Sequence, residues 1–426
     1  MSEGVQTQQR PGTAQRKPAG NEAPIDGSHA TRESKWRGKV ALLTGGDDKP
    51  YVLGLTQALT DDEIQVEVVG SDALRVPELL NNPGVRFLNL RGSQRSDAGA
   101  AAKALRVARY YGRLICYAAT SKPRILHILW NNKFELFDRT LLMLYYRILG
   151  KRVVLTAHNV NAAKRDHRDS WMNRMSLRIQ YNLCDRIFVH TARMRDELSN
   201  GFGVSEKKIR VIPFGINQTA RKTRLSSAEA RGRLGIGVDE KVLLFFGQIA
   251  PYKGLAYLIS AFSSLTNDGQ RYRLIIAGKP KWSGDYWTEV KSMIAEAGVG
   301  SYVTERIEHV PDEETEVFFK AADLLILPYT DIFQSGVLFL GYNFGLPAVV
   351  TDVGSLADDV VEGKTGFVCK PKDASDLARA IDRYFASPLF RDLDHQRILI
   401  KQFANERYSW SKVAAITSAA YADLVG

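Results

Sequence analysis

The segment Thr330–Asp352 reads TDIFQSGVLFLGYNFGLPAVVTD, and no charged residue lies between Asp331 and Asp352 in a chain that is 25% charged. The length would suit a membrane span. The composition does not, because Gly336, Gly341, Gly345 and Pro347 interrupt the run and Gln334, Ser335 and Asn343 would need polar partners in lipid. The flanks give a better reading. A strand, ADLLILPY (322–329), runs into Asp331 and then into the small-residue loop Gln334-Ser335-Gly336. The stretch VLFLGYNF follows as a helix, with Gly345 placed to end it and Pro347 opening the next strand. A helix that is apolar all round is buried between a sheet and its neighbours, which accounts for the missing charge. A plain core helix explains the apolar residues equally well, but not the Gln-Ser-Gly entry. If an anion docks at that first turn, the turn must stay uncharged or basic, because an acidic side chain would repel it.

The same strand–turn–helix rhythm extends in both directions. Downstream of residue 240, KVLLFFG (241–247), YRLIIAG (272–278), YVTERIE (302–308) and PAVVTD (347–352) read as strands. Upstream, KVALLT (39–44), IQVEVVG, VRFLNL, RILHILW (124–130), RVVLTAH (152–158), CDRIFVHT (184–191) and KIRVIPFGI (208–216) do the same, with helical stretches at 137–149 and 192–200. Strands alternating with helices predict an α/β protein with two Rossmann-like parallel-sheet domains, divided near residue 217 and facing a cleft.

Composition sets outer bounds. A chain of 426 residues suggests two domains. Its three cysteines, Cys116, Cys184 and Cys369, are widely spaced and imply neither a disulfide framework nor a zinc site. Residues 1–34, rich in Gln, Pro, Gly, Ser and Thr, read as a disordered tail, and no apolar signal segment opens the chain. Charge is unequal: residues 35–215 carry 30 basic and 17 acidic residues, whereas 216–426 carry 24 and 26. A basic half attracts phosphate, anionic lipid or nucleic acid, although surplus surface Lys and Arg is common. Nucleic-acid binding would explain the charge but none of the glycine turns. The stretch AKALRVARYYGRLICYA (102–118) groups Leu105, Ala108, Tyr111 and Ile115 against Arg106, Arg109 and Arg113. It reads as a basic amphipathic helix, either on an anionic bilayer or packed on its own sheet.

Three further turns carry candidate chemistry. FFGQIAPYKGL (245–255) places Gly247 at a strand end and Lys253-Gly254 at a helix start, where amides and a lysine charge suit a phosphate. An ordinary β–α turn with a surface lysine would look the same. Gly45-Gly46 closes the first strand of the first domain, with Lys49 and Tyr51 close behind. His158 follows a strand and precedes Asn159; a lone histidine is more often structural. His127, His167 and His190 are weaker candidates.

Taken in order, GQIAPYKGL, ADLLILPY, QSGVLFLGYNFGLPAVVTDVGSLADDVVEGKTGFV and YSWSKVA resemble the donor-binding half of a family-four glycosyltransferase (glycosyl transferases group 1) with the GT-B fold. TAHNV and CDRIFVHTARMRDELSNGFGVSEKKIRVIPFGI resemble its first half, so the resemblance covers about residues 38–420 and is to the bacterial exopolysaccharide and capsule type. It implies an acceptor-binding domain at 35–216, a donor-binding domain at 217–404 and a last helix at 405–426 returning to the first domain. It implies retaining transfer from a nucleotide diphosphate sugar, without metal or other cofactor, to a glycan or polyprenyl-diphosphate-linked acceptor. The place would be the cytoplasm, at an anionic inner membrane surface. By the same resemblance His158 lies near the transferred sugar, and Gly46 and Gly247 let backbone approach the donor. Lys253 holds the diphosphate beside Gln334, Ser335, Gly336 and Val337.

Two departures stand out. Gln248 occupies a position where the family usually has arginine, and Ile332 and Leu340 occupy those of two glutamates, leaving Asp331 as the neighbouring carboxylate. These departures keep open a nucleotide-sugar-binding protein without transferase activity. A sugar epimerase or phosphorylase on the same architecture also stays open.

Overall fold

A computed structural model describes residues 36–45, 48–94, 99–132, 134–165, 168–216, 223–266, 271–281 and 284–425. The expected tail, Gly46 and His167 lie outside the described residues. The first sheet has seven strands: β1 (Lys39–Leu43), β2 (Gln65–Gly70), β3 (Val85–Asn89), β4 (Ile125–Ile128), β5 (Arg152–Thr156), β6 (Arg186–Val189) and β7 (Ile209–Val211). Their order is β3-β2-β1-β4-β5-β6-β7, and every pair is parallel. The second sheet has six: β8 (Lys241–Phe246), β9 (Tyr272–Ala277), β10 (Val303–Arg306), β11 (Leu324–Leu327), β12 (Ala348–Thr351) and β13 (Gly366–Cys369). It runs β10-β9-β8-β11-β12-β13, again all parallel. These are the two Rossmann-like α/β domains that the alternation predicts.

Each sheet reverses its winding once, between β1 and β4 and between β8 and β11. At such a switch point the flanking loops part and leave a crevice outside the carboxyl ends of the strands. The strands are short apolar runs because both faces are covered; Leu324–Leu327 and Ala348–Thr351 are buried at every position.

The helices that matter for the crevice are α1 (Lys49–Asp61), α2 (Ala100–Thr120), α3 (Trp171–Leu183), α4 (Ala192–Phe202), α5 (Leu255–Thr266), α6 (Gly336–Asn343) and α7 (Trp410–Val425). α7 packs along α1 of the first domain. Its Trp410 indole fills space left by Gly54 and Gly215, where a Cβ would collide with the ring, and donates to the Ile216 carbonyl at 2.8 Å.

Three details depart from the sequence reading. The helix expected at 137–149 is broken, running Glu135–Arg139 and then Leu141–Ile148, with the Thr140 hydroxyl donating back to the Leu136 carbonyl at 2.6 Å. Strand β13 was not anticipated, because its four residues follow a turn-rich stretch that hides a short edge strand. α2 buries Tyr110, Tyr111, Leu114 and Ala118, whereas Leu105 is 56% exposed and Ala108 is exposed. Of the expected grouping, Tyr111 and Ile115 pack on the sheet while Leu105 and Ala108 do not, so the stripe is shifted and covers the sheet, one of the two readings the sequence leaves open.

Candidate active site

On the second domain, β8 and β11 are paired neighbours with Leu243 opposite Leu324, so the turns that leave them emerge side by side. After β8, Gly247 (φ 105°) and exposed Gln248 lead into a single 3-10 turn, Pro251–Lys253, closed by Gly254 in the left-handed region (φ 67°). A Cβ at Gly254 would strike the Pro328 carbonyl oxygen, so only glycine lets this turn lie against the end of β11. Across the gap the Thr330 amide donates to the Tyr252 carbonyl at 2.8 Å. Lys253 is buried, and its Nζ lies 3.8 Å from the centre of the Tyr329 ring. The ring face attracts the ammonium and fixes where it sits.

The loop from β11 enters α6 through Ser335, which makes no side-chain cap; its Oγ lies 3.2 Å from the Tyr329 hydroxyl instead. The first-turn amides of Gly336 and Val337 are thus left without a capping side chain. Val337 also meets Gly247: a Cβ built there would lie 3.3 Å from Val337 Cγ2. The structure therefore brings Gly247, Lys253, Ser335, Gly336 and Val337 to one switch point.

Gln334 hydrogen-bonds Asp359, while its Oε1 is buried without a partner among the described residues. Asp359 also accepts from the Tyr408 hydroxyl at 2.8 Å and from Ser355 Oγ at 3.3 Å. Burial pushes its carboxyl up to about 6 against the lowering effect of these bonds. Ile332 is buried and Leu340 packs against the same core, so neither position offers a carboxylate. Asp331 is exposed and lies in a cavity of about 310 Å³ together with Lys164, Arg193 and Glu197 of the first domain.

The first domain's wall is built from rings. Gly45 closes β1 where a Cβ would strike the Trp130 carbonyl oxygen, and the Arg91 guanidinium donates to the Gly45 carbonyl. The Trp130 ring stacks on His158 at 4.2 Å with 6° between the planes, and Tyr51 meets that histidine edge-on at 4.7 Å. His158 Nδ1 lies 3.0 Å from His190 Nε2, so the two rings share one proton. Burial, then the neighbouring His190 and His127, holds His158 well below the usual histidine value; burial takes His190 down to about 4. Both are therefore neutral near pH 7. His158 Nε2 is buried with no partner among the described residues.

His127 is different. It is held between Thr156 Oγ1 at 2.7 Å and the Tyr421 hydroxyl at 2.5 Å, and burial takes it down to about 3. It ties β4 and β5 to α7. Phe214 joins the two walls, stacked on Phe339 of α6 at 5.3 Å and edge-on to His190 at 5.0 Å.

A second cavity, of about 430 Å³, opens between α1 and Trp410. It is lined by Asp61, Asp62 and Glu78, which would repel a diphosphate, so the switch-point crevice is the better anion site. Among the described residues no group of three or more His, Cys, Asp or Glu side chains is placed to hold a metal ion, and no helix is long and apolar enough to cross a membrane. Sequence reasoning missed Trp130, Arg91, Lys164, Arg193 and Glu197. None belongs to a local pattern; each is brought to the crevice by the fold.

Comparison with known proteins divides the chain in the same way. Residues 50–219 match the model of Glycosyltransferase Family 4, and residues 226–402 match that of Glycosyl transferases group 1. Sucrose-phosphate synthase from Thermosynechococcus elongatus superposes with a TM-score of 0.72 at 19% identity, over 91% of this chain and 99% of that one. The chain has the two domains of a GT-B glycosyltransferase. The HepE protein of Anabaena, solved in complex with UDP and glucose, gives a TM-score of 0.68 at 17% identity, over 90% of this GT-B chain and 99% of HepE. Among curated sequences, D-inositol 3-phosphate glycosyltransferase of Streptomyces bingchenggensis is 28% identical over 251 residues, 56% of this chain. The aligned part spans about half of that relative, 53% of its length.

Proposed function

We propose that this protein is a retaining glycosyltransferase. It moves a sugar from a nucleotide diphosphate sugar to a glycan or polyprenyl-diphosphate-linked acceptor in exopolysaccharide or cell-surface glycan synthesis, at the cytoplasmic face of a membrane. The observation that carries the reading is the meeting of the β8 and β11 turns, with Lys253 between them, at the switch point of the second sheet. Lys253 and the amides of Ser335, Gly336 and Val337 neutralise the diphosphate, and most of the charge that develops on the leaving group is stabilised there. The leaving β-phosphate oxygen takes the acceptor proton on the same face as attack, so no protein base is required. Rate then comes from holding the acceptor hydroxyl against the anomeric carbon. The unpartnered Nε2 of neutral His158 is suited to hydrogen-bond a hydroxyl of the transferred sugar. Asp331 supplies the sugar-facing carboxylate that Ile332 does not.

The absence of a carboxylate at Ile332 and Leu340 favours a second reading, a nucleotide-sugar-binding protein without turnover. One experiment separates the two. The full chain is screened by thermal shift against UDP-, GDP- and ADP-sugars, and the best donor is assayed for transfer and slow hydrolysis with wild type and Lys253→Ala. The expected result is stabilisation by one nucleotide family, with turnover falling at least about 100-fold in the variant, as for loss of a charge-stabilising group. Tight donor binding with no turnover in the wild type would establish the second reading, and no nucleotide binding would defeat both.

A further inference from the structure

The crevice does not end at Asp331. The cavity that holds Asp331, Lys164 and Glu197 shares Asn161, Lys164 and Glu197 with another of about 310 Å³, which is lined further out by Trp171, Arg174 and Arg178 of α3. The two cavities are separate but share those side chains as lining. Their linings extend from the entry loop of α6, across α4, to Trp171, Arg174 and Arg178 of α3.

The lining changes character along this path. At the inner end, carboxylates face an ammonium. Glu197 is raised by burial, lowered by Lys164 and raised again by Asp331, so these three groups feel one another. Such a mixed-charge end suits a polyol, whose hydroxyls both donate and accept. Further out, Arg174 and Arg178 add two guanidinium groups beyond the Lys164–Glu197 end that both cavities share, so cations outnumber carboxylates there; Arg174 also pairs with Asp169 at 2.6 Å. At the mouth the surface turns apolar: Trp171 is 76% exposed and Met172 58% exposed. Next to α3, the Leu141–Ile148 helix leaves Leu141, Leu144 and Ile148 exposed as well. Large apolar side chains left exposed on neighbouring helices suit contact with an apolar partner.

Hydroxyl-rich, then anionic, then apolar is the order of a glycan carried on a lipid diphosphate. We propose that this groove holds the acceptor, with its sugar against Glu197 and next to the donor sugar that Asp331 faces, its diphosphate at Lys164, Arg174 and Arg178, and the first units of its lipid tail on Trp171 and Met172. The assignment rests on the acceptor reading above and deepens it. It places the lipid contact on α3 rather than on α2, whose apolar face is used against the sheet.

The test uses the full chain and farnesyl diphosphate as a short soluble probe, with inorganic pyrophosphate and farnesol as halves of it. Binding is measured by calorimetry for wild type, the double variant Arg174→Ala/Arg178→Ala, and Trp171→Ala. Affinity for the best nucleotide from the thermal-shift screen is measured in parallel. Farnesyl diphosphate is expected to bind at least about tenfold more tightly than either half. The double variant should lose about tenfold or more, the scale of one charge-assisted hydrogen bond, with nucleotide affinity unchanged. Trp171→Ala should weaken the probe but not pyrophosphate.

Equal binding of pyrophosphate and farnesyl diphosphate would overturn the assignment, as would variants that leave the probe unaffected. Binding of phosphatidylglycerol vesicles but not of the probe would overturn it in favour of a bilayer contact. Intact nucleotide binding with no probe binding would defeat this inference alone; failure of nucleotide binding would defeat the donor reading first.

Discussion

On the wall that ends β8 and β11, side chains do little and backbone does most. On the wall that ends β1 and β4 the reverse holds. The first offers amides at Gly336 and Val337, a left-handed Gly254 and one lysine fixed on a tyrosine ring. The second offers a stack of rings, Trp130 on His158 with Tyr51 and His190 against them. The difference follows from chemistry. A diphosphate carries the same charge in every nucleotide sugar, and backbone N–H groups bind it without specifying anything else. Sugars and acceptors differ in their hydroxyls and shape, and must be read by side chains. One wall is expected to be sensitive to backbone geometry and indifferent to pH. The other is expected to tolerate its backbone and respond to protons.

The sharpest break of this contrast is Gly254→Ala. The left-handed φ of 67° and the collision with the Pro328 carbonyl oxygen act together. Destabilisation on the order of 3 kcal/mol or more is expected, with loss of nucleotide binding. Gly112 in α2 is the matched control, since its added Cβ would meet nothing within 4 Å and its helical site is exposed. Gly112→Ala should stabilise by about 0.5–1 kcal/mol. Urea unfolding of both variants measures this. Equal, small effects would mean that the β8 turn is not held against β11 as described.

Legibility in the sequence divides along the same line. The backbone wall could be read from local strings, because a glycine ending an apolar strand and a Gln-Ser-Gly entry into an uncharged helix each declare a turn geometry within a few residues. The turns that carry Lys253, Ser335 and Gly336 are legible this way, and so is the parallel alternation of both sheets; the diphosphate role given to these residues rests on the family resemblance. The ring wall could not be. His158 was singled out, but its partners stand at positions 51, 130 and 190, and only the parallel sheet brings them into contact. His127 looks no different from His158 in a string of letters; the hydroxyls of Thr156 and Tyr421 decide that it is structural. The phase of α2 is only half legible for a related reason. A helix with alanines and tyrosines all round admits several apolar stripes, and the sheet beneath it selects one.

The ring wall should announce itself by pH. His127, His158 and His190 are all depressed in the folded chain, chiefly by burial, to about 3, well below the usual value, and about 4 respectively. Their contribution to stability is therefore complete above the unfolded value near 6.5 and is lost as pH falls toward 4. Each should contribute about 1.4 kcal/mol per pH unit to the acid slope in that window. His190→Asn should reduce the slope of urea-unfolding free energy between pH 6.5 and 5 by about that amount, whatever it does to stability at pH 8. An unchanged slope would mean that His190 is accessible to protons in the folded protein.

The smallest effect expected lies behind the backbone wall and has the opposite sign. Asp359 is not part of the proposed anion cradle; it lies behind it, holding Gln334 and the Tyr408 hydroxyl next to the start of α7. Burial raises its carboxyl to about 6. The folded chain therefore retains this proton more tightly than the unfolded chain. The associated stability is complete below the ordinary carboxyl value and is lost as pH rises from about 4 through 6. Asparagine keeps an oxygen for Tyr408 and removes the buried charge, so Asp359→Asn should stabilise the protein at pH 8 by on the order of 1 kcal/mol. The gain should vanish at pH 4, where aspartic acid and asparagine are alike in charge. Thermal melts of the pair at the two pH values measure it. A variant that is less stable at pH 8 would show that the ionised carboxylate, gathering Tyr408, Ser355 and Gln334 around it, is worth more than its burial costs. The cradle would then be fixed from behind by charge after all.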